Sequence, residues 1–182
     1  GFSADKTLSI AQSLYEKKHI TYPRTGSRYI PEEMLWVVHG LCTGIWGHPI
    51  YGFGAAAIHN SEPKSRSVDD SKVTDHHALL ITENYPKEGE LSADELIGYD
   101  RIAGRMVEAF SKKCVKEITT ITLACGDTLF KVKGSFTKSG GWRKVFNEIE
   151  EDKEDIKLPK LIEGEILTLS KCDLLEKQTK PR

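Results

Sequence analysis

The stretch SADELIGYDRIAGRMVEAFSKK, residues 92–113, is the clearest helical segment in the chain. Its first four residues fit a capping box, in which Ser92 and Glu95 each bond a free backbone N–H at the start of a helix. Apolar residues then recur at intervals of three and four, which predicts one buried face. This face consists of Tyr99, Ile102, Ala103, Met106, Val107 and Phe110. The pattern predicts a helix that runs to about Lys113.

The sequence period changes after this helix. The β-branched run ITTITL, residues 118–123, and the alternating run LFKVK, residues 129–133, both predict strands. Gly126 and Asp127 lie between them and predict a turn. EILTLS, from Glu165 to Ser170, predicts a further strand, and the acidic stretch near residue 150 predicts a loop.

The segment before residue 92 predicts more helices. Ser3 can cap a first helix, whose apolar stripe consists of Thr7, Ile10, Ala11, Leu14 and Tyr15. A second helix is predicted to begin at Pro31, where a missing N–H does no harm, and to end at Gly40. Residues 44–72 are rich in Gly, Pro, Ser and Asn, so we expect a long, largely irregular connection there.

These elements together predict an α+β fold. We expect a mostly helical N-terminal domain over residues 1–113 and a smaller antiparallel β domain over residues 114–182. A chain of 182 residues can bury a core without disulfides or metals.

Composition excludes several classes of protein. An apolar content of 38% and a charged content of 29% are ordinary for a globular chain. No apolar run approaches the ~20 residues that span a bilayer, and no secretory signal is present, so we expect a cytoplasmic protein without a membrane segment. The four cysteines are far apart and form no CxxC pair, which argues against a structural metal site and favours reduced, buried thiols.

The net charge of −1 conceals an uneven distribution. Five basic and two acidic residues lie between Asp5 and Arg28, whereas six acidic residues and one lysine lie between Glu148 and Asp155. The total is therefore compatible with one basic face that meets an anion. On charge alone, however, mixed solvated faces are the simpler interpretation.

A tyrosine, a proline and an arginine stand together in ITYPRTGSRYIPEEM, residues 20–34. Pro23 disfavours helical backbone at Tyr22, which places that tyrosine at a helix-to-loop junction. A tyrosine in such a place usually has a structural role, and a phenol with a pKa near ~10 is a weak nucleophile at neutral pH. Arg24 could assist by forking onto two phosphate oxygens and neutralising their charge.

Two adjacent histidines occur in KVTDHHALLIT, residues 72–82. Alone they are a weak metal signal, and a hydrogen-bonded pair is the simpler interpretation. If the backbone is extended, the rings of His76 and His77 point to opposite faces and only one reaches a given site. An imidazole near a phosphate could donate a hydrogen bond or relay a proton.

These segments together resemble one family. SADKTLSIAQSLYEKKHITYPRTGSRYI, residues 3–30, resembles the active-site segment of type IA DNA topoisomerases, and its Tyr-Pro-Arg-Thr resembles the topoisomerase III branch. KVTDHHALLIT and GYDRIAGRMVEAF resemble the blocks that follow it in this family. LPKLIEGEIL and the terminal KQTKPR resemble the family's later β segment. The resemblance covers nearly the whole chain, in the family's order.

The resemblance implies a role for particular residues. Tyr22 would be the nucleophile that forms a 5′-phosphotyrosine link, Arg24 would contact the scissile phosphate, and His76 would lie near the cleavage site. DNA-binding positions would be Arg28, Lys72 and Ser27. The implied activity is ATP-independent cleavage of one DNA strand and passage of another, with single-stranded DNA as the preferred partner.

The resemblance also implies what these residues lack. In the family, Mg²⁺ is bound by a separate toprim domain, so we expect no metal site here and a toprim domain as a partner. The chain resembles a fragment with the tyrosine-bearing domain and the later half of the arch domain, and we expect it to be inactive alone. Two positions depart from the family pattern: Gly26 replaces an aspartate that would lie close to the scissile phosphate, and Ile81 replaces a proline.

Two other interpretations remain open from the residues alone. The chain could be a non-enzymatic module for single-stranded nucleic acid, in which Tyr22 stacks on a base. It could also be a purely structural domain. The enzymatic interpretation requires Tyr22, Arg24 and His76 to converge on one point, which neither alternative requires.

Overall fold

The computed structural model describes residues 1–59, 66–146, 155–173 and 175–179. It confirms the predicted α+β class. In chain order the elements are α1 (Ala4–Glu16), α2 (Leu35–Gly44), α3 (Gly52–His59), α4 (Ala93–Phe110), β1 (Val115–Cys125) and β2 (Thr128–Ser139). Short 3₁₀ turns occupy Glu32–Met34, Asp70–Lys72 and Gly141–Lys144.

Helix α4 forms as its sequence predicts. The Ser92 hydroxyl accepts the Glu95 N–H at 3.3 Å, and the Glu95 carboxylate accepts the Ser92 N–H at 2.8 Å. The predicted face is buried, apart from a partly buried Ile102. The helix ends at Phe110 rather than Lys113, because Ser111 adopts extended backbone with ψ of 162°.

Helix α1 begins where it was predicted to begin but buries a narrower stripe. The Ser3 hydroxyl accepts the Lys6 N–H at 3.3 Å. Ile10 and Leu14 are buried in the core. The two ends of the predicted stripe, Thr7 and Tyr15, are instead exposed.

The C-terminus of α1 sets the direction of the chain that follows. Lys18 has a φ of +65°, the left-handed conformation that closes many helices. The His19 N–H donates to the Leu14 carbonyl at 2.9 Å, and the Lys18 N–H donates to the Tyr15 carbonyl at 2.8 Å. These two bonds form a Schellman motif, so the exit from α1 towards residue 22 has a fixed geometry.

Helix α2 follows a 3₁₀ turn that begins after Pro31, close to the predicted start. Its predicted end at Gly40 is wrong, because the buried Leu41 and Cys42 hold one more turn against the core. The helix ends at Gly44, where a Cβ atom would lie 2.1 Å from the ring of Tyr85. Only glycine leaves room for that ring.

The connection over residues 44–72 has more regular structure in its described part than the sequence predicts. It contains α3 and the 3₁₀ turn at Asp70–Lys72. Ala55 and Ile58 of α3 are buried, so packing against the core stabilises a helix whose glycine content predicts a loop. Residues 60–65 lie outside the described part of the chain.

Strands β1 and β2 confirm the predicted hairpin. They pair antiparallel, with Ile121 opposite Val132 and Cys125 opposite Thr128. The two-residue turn contains Gly126 at a φ of +55°, a conformation that suits glycine. Both strands are longer than predicted.

The predicted strand from Glu165 to Ser170 is wrong. Its residues have no regular secondary structure, and within the described chain they join no sheet. Ile166 is 94% exposed and Leu169 is 79% exposed, so the alternating pattern has no neighbouring strand or core to pack against. The predicted acidic loop lies mostly in residues 147–154, outside the described part.

The domain boundary near residue 114 stays a prediction. After the hairpin the chain returns to α4, where the Trp142 N–H donates to the Lys112 carbonyl at 2.9 Å. Val145 is 3% exposed and belongs to the helical core, and the Phe146 ring packs where Gly104 has no side chain. Val145 and Phe146 therefore pack with the helical part of the chain, although they follow the hairpin.

All four cysteines are free thiols. Cys42 is buried, and burial raises its pKa to about 12. The prediction of buried thiols is wrong for Cys125 and Cys172, which are exposed, and Cys114 is only half-buried. Among the described residues, no helix combines the length and apolar character needed to cross a bilayer. The cytoplasmic location stays a prediction.

Candidate active site

The chain that leads into Tyr22 is fixed to residues 80–82. Ile20 and Ile81 form an antiparallel bridge, in which the Thr21 N–H donates to the Leu80 carbonyl at 2.9 Å and the Thr82 N–H donates to the His19 carbonyl at 3.0 Å. Neither bond uses the N–H of Ile81. An isoleucine and a proline can therefore both sit at position 81 without loss of this bridge.

Tyr22 lies between two other rings. Its ring centroid is 4.6 Å from that of His76, with the planes tilted by 40°, and 5.5 Å from that of Tyr15, edge to face. The residue is half-buried. Its hydroxyl makes no hydrogen bond to any residue that the structure describes. The phenol ring is therefore held in place while its oxygen remains available for another group.

Thr25 links the His76 loop to the Tyr22 loop. The Thr25 hydroxyl donates to the His76 carbonyl at 3.2 Å and accepts the Ser27 N–H at 3.1 Å. The neighbouring His77 has a different environment, because its Nδ1 lies 2.7 Å from the Ala78 carbonyl and can donate to it. Of the two histidines, His76 is the one that contacts Tyr22, consistent with only one imidazole reaching a given site.

Arg24 and Arg28 are exposed on the loop after Tyr22. Within the described ranges, neither guanidinium has a hydrogen bond or an ion pair, and Arg24 has no ring contact. The structure thus brings Tyr22 and His76 together and leaves Arg24 two residues further along the chain as an unpaired cation. The three-residue convergence stays a prediction.

Ser27 and Lys72, the other two predicted DNA-binding residues, are neighbours. The Ser27 hydroxyl donates to the Lys72 carbonyl at 3.0 Å. The Lys72 ammonium lies 2.7 Å from the Asp69 carboxylate and 4.7 Å from the centre of the Tyr29 ring. Its hydrogen bond to Asp69 raises the pKa of Lys72. Because Asp69 offsets that charge, Lys72 is a weaker candidate for a phosphate contact than Arg28.

The basic N-terminal segment is partly neutralised by α4. Lys6 pairs with Asp94 at 2.6 Å, and Lys17 pairs with Glu95 at 2.7 Å. Hydrogen bonds from Lys17, from Ser13 and from the backbone of α4 lower the pKa of Glu95 to about 2. These pairs fasten α1 to α4, so part of the positive charge in this segment has a structural role.

Gly26 lies at an open position. It is exposed, and a Cβ atom built on it would meet nothing within 4 Å. An aspartate would therefore fit at position 26 without repacking.

No group of three or more His, Cys, Asp or Glu side chains in the described part of the chain is arranged to hold a metal ion. Two acidic side chains near the Tyr22 loop are engaged with protein groups. Asp69 binds Lys72 and Ser71, and Asp70 accepts the Glu32 N–H.

Two residues of this site could not be predicted from the sequence. Tyr15 fits the apolar stripe of α1, so its pattern predicts the core, although it lies against Tyr22. Thr25 carries no signal of a link to His76, because the two residues are 51 positions apart in sequence.

A family model for DNA topoisomerase matches residues 1–182. The chain belongs to the DNA topoisomerase family. It is 34% identical over 187 residues to DNA topoisomerase 3 of Bacillus licheniformis, and 35% identical over 189 residues to DNA topoisomerase 3 of Bacillus subtilis. It is 32% identical over 184 residues to DNA topoisomerase 1 of Pyrococcus horikoshii.

Each of these three alignments covers 100% of this topoisomerase-family chain but 26% of the relative. The chain therefore spans about a quarter of the length of the curated relatives that it matches. The resemblance to topoisomerase III is confirmed.

Proposed function

We propose that this topoisomerase-family chain carries the nucleophile of a type IA DNA topoisomerase, and that Tyr22 is that nucleophile. The observation that carries the proposal is the half-buried Tyr22 phenol, held against His76 with its oxygen unengaged, in a chain whose whole length matches DNA topoisomerases. Loop sites on a rigid scaffold are where such chemistry is commonly found.

The proposed reaction is a reversible transesterification. The Tyr22 oxygen attacks a backbone phosphorus and forms a bond to the 5′ phosphate of one fragment, while the bond from phosphorus to the 3′ oxygen of the other fragment breaks. The proton of the phenol is transferred, overall, to the departing 3′ oxygen. Because the phosphodiester is exchanged rather than hydrolysed, the 3′ hydroxyl can attack the phosphotyrosine and reseal the strand without ATP.

Each neighbour of Tyr22 has a distinct part in this proposal. Arg24, exposed and unpaired, binds the scissile phosphate through its planar fork and stabilises the charge that develops there. His76 donates a hydrogen bond to the phosphate or relays the phenol proton. Tyr15 and His76 together restrict the ring of Tyr22, which reduces the entropy lost on reaching an attacking geometry.

The proposal assigns Mg²⁺ to a separate toprim domain, as the resemblance to type IA topoisomerases implies. Bound there, the ion would offset phosphate charge close to the bond that breaks. DNA, preferentially single-stranded, and that toprim domain are the proposed partners. We expect the 182-residue chain on its own to leave supercoiled plasmid unrelaxed in the presence of Mg²⁺.

The test uses the full-length protein that contains these residues and a labelled single-stranded oligonucleotide. Tyr22→Phe should abolish the covalent protein–DNA adduct and leave noncovalent binding nearly unchanged, because only the attacking oxygen is removed. Tyr85→Phe is the matched control, since the Tyr85 hydroxyl contacts the Leu41 carbonyl rather than the site. Adducts that persist in the Tyr22→Phe protein would show that the nucleophile is another residue.

One observation favours the non-enzymatic alternative, a module for single-stranded nucleic acid. Trp36 is 70% exposed and Phe53 is 81% exposed, and such rings can stack on unpaired bases. Under this alternative the full-length protein forms no adduct at all and Tyr22→Phe changes nothing but affinity. The same experiment therefore separates the two functions.

A further inference from the structure

A groove with a basic rim and an apolar floor lies next to the candidate active site. We propose that this groove binds a nucleotide of the single DNA strand that flanks the bond cut by Tyr22. The proposal rests on the proposed function. It adds a binding site and assigns a role to two arginines of α4.

The groove begins where the active-site loops end. Arg28 lies four residues beyond Arg24 and lines the groove, as does Ala78, which lies two residues beyond His76. Two residues of extended chain span at most ~7 Å. The two loops are joined here, since the Ala78 N–H donates to the Tyr29 carbonyl at 2.8 Å. A strand held at Tyr22 therefore reaches the groove within a nucleotide or two.

Three arginines from two separate parts of the sequence line this groove. Arg28 comes from the active-site loop, and Arg101 and Arg105 lie four residues apart on one face of α4. The guanidinium of Arg101 is 4.9 Å from the centre of the Phe146 ring, which supports it from one side. Arg105 pairs with Glu108 but keeps 71% of its side chain exposed. The described residues that line the groove include no Asp or Glu.

The floor of the groove is apolar. Ile30, Leu80 and Met106 are among the residues that form it, and the volume is about 330 Å³. That volume is at the lower end of the ~300–1,000 Å³ of ligand clefts, which suits one nucleotide better than several. An unpaired base can lie on an apolar floor while its phosphates meet arginines, whereas the bases of a duplex are stacked inside the helix. The arrangement therefore favours single-stranded over duplex DNA.

The test measures binding of a fluorescent oligothymidylate by the 182-residue chain at several salt concentrations. The groove variant is Arg28→Gln with Arg101→Gln, which leaves the Arg105–Glu108 pair intact. The matched control is Lys131→Gln with Lys133→Gln on the exposed part of β2, because it removes the same charge. Circular dichroism and thermal melting establish that both variants fold.

We expect the groove variant alone to bind more weakly and with less salt dependence. Each phosphate neutralised on a single strand contributes about 0.7 to the slope of log K against log salt, so the slope should fall by about 1.4. If the two proteins bind equally at about 1 M salt, this change in slope makes the binding constant of the groove variant up to about sixtyfold lower at about 50 mM salt. The lysine control should keep the slope and most of the affinity.

Four results would overturn the proposal. The first is a loss of affinity in the lysine control equal to that in the groove variant, and the second is no saturable binding by the unaltered chain. The third is an affinity for duplex DNA equal to that for the single strand. The fourth is displacement of the oligonucleotide by polyglutamate as effective as displacement by unlabelled oligothymidylate, which would indicate an acidic polypeptide as the occupant. A failure of the groove is thus distinct from a failure of the nucleophile, which the adduct assay detects.

Discussion

Replacing Glu95 with glutamine should destabilise the chain at neutral pH and remove much of its sensitivity to acid. Glu95 joins the two helices beside the active site, since its Oε1 accepts hydrogen bonds from Ser13 at 2.6 Å and from Lys17 at 2.7 Å. Its Oε2 accepts the Ser92 N–H at 2.8 Å. Glutamine can retain the bond to Ser92 but directs an N–H₂ group towards the Lys17 ammonium.

The magnitude follows from the pKa of Glu95, which these bonds lower from 4.5 to about 2. A difference of that size corresponds to about 3.4 kcal/mol at most. The Lys17 side chain is 39% exposed, so solvent screening reduces the expected contribution to about 1–2 kcal/mol. Because the folded-state pKa is the lower one, this stability is present above pH 4.5 and is lost as the pH falls towards 2.

The assay is urea or thermal unfolding between pH 2 and pH 7 for the unaltered chain, Glu95→Gln and Asp94→Asn. Asp94 pairs with Lys6 on the surface, with both side chains nearly half exposed, so its loss should cost under about 1 kcal/mol. At neutral pH, Glu95→Gln should lower the melting temperature by about 2–8 °C. The difference in stability between Glu95→Gln and the unaltered chain should disappear near pH 2. A loss of stability in Glu95→Gln that is constant between pH 2 and pH 7, or that is no larger than the loss in Asp94→Asn, would refute the reasoning.

Three further predictions concern single positions. Gly44→Ala places a Cβ atom 2.1 Å from the Tyr85 ring and should destabilise the fold by about 1–3 kcal/mol, measured by urea unfolding, whereas unchanged stability would place that ring elsewhere. Gly26→Asp meets no atom within 4 Å, so it should leave the melting temperature within about 2 °C and alter the balance between cleavage and rejoining in the full-length protein. Thr25→Val removes the bond to the His76 carbonyl and should slow adduct formation in that protein while Thr25→Ser restores it; equal rates in all three would exclude a positioning role.

Local signals in the sequence predicted the local parts of the fold. The capping box at Ser92 and the Gly126-Asp127 turn each depend on residues within a few positions of one another, and both formed as expected. The end of α2 could not be predicted in this way, because the Tyr85 ring that packs against Gly44 in its last turn lies 41 positions away in sequence. The strand predicted at residues 165–170 failed for the converse reason, since a strand needs a partner that its own sequence cannot supply.

In the candidate site, too, local sequence predicts some features, whereas others depend on residues that are distant in sequence. The segment around Tyr22 identified the family, and the family model then matched the entire chain. What the sequence could not show is which side chains meet in space. Tyr15 follows the helical period of a core residue yet contacts Tyr22, and Arg101 and Arg105 carry no pattern that connects them to Arg28. Those juxtapositions depend on how α1 and α4 pack, which no local motif specifies.

The most direct test of the central claim is mass spectrometry of the trapped protein–DNA adduct of the full-length protein. Trypsin should release the peptide His19–Arg24, which contains a single tyrosine. We expect this peptide to carry an oligonucleotide through a 5′ phosphate on Tyr22, and the other DNA fragment to end in a free 3′ hydroxyl. An adduct on Tyr15 or Tyr29, or a link through a 3′ phosphate, would contradict the account.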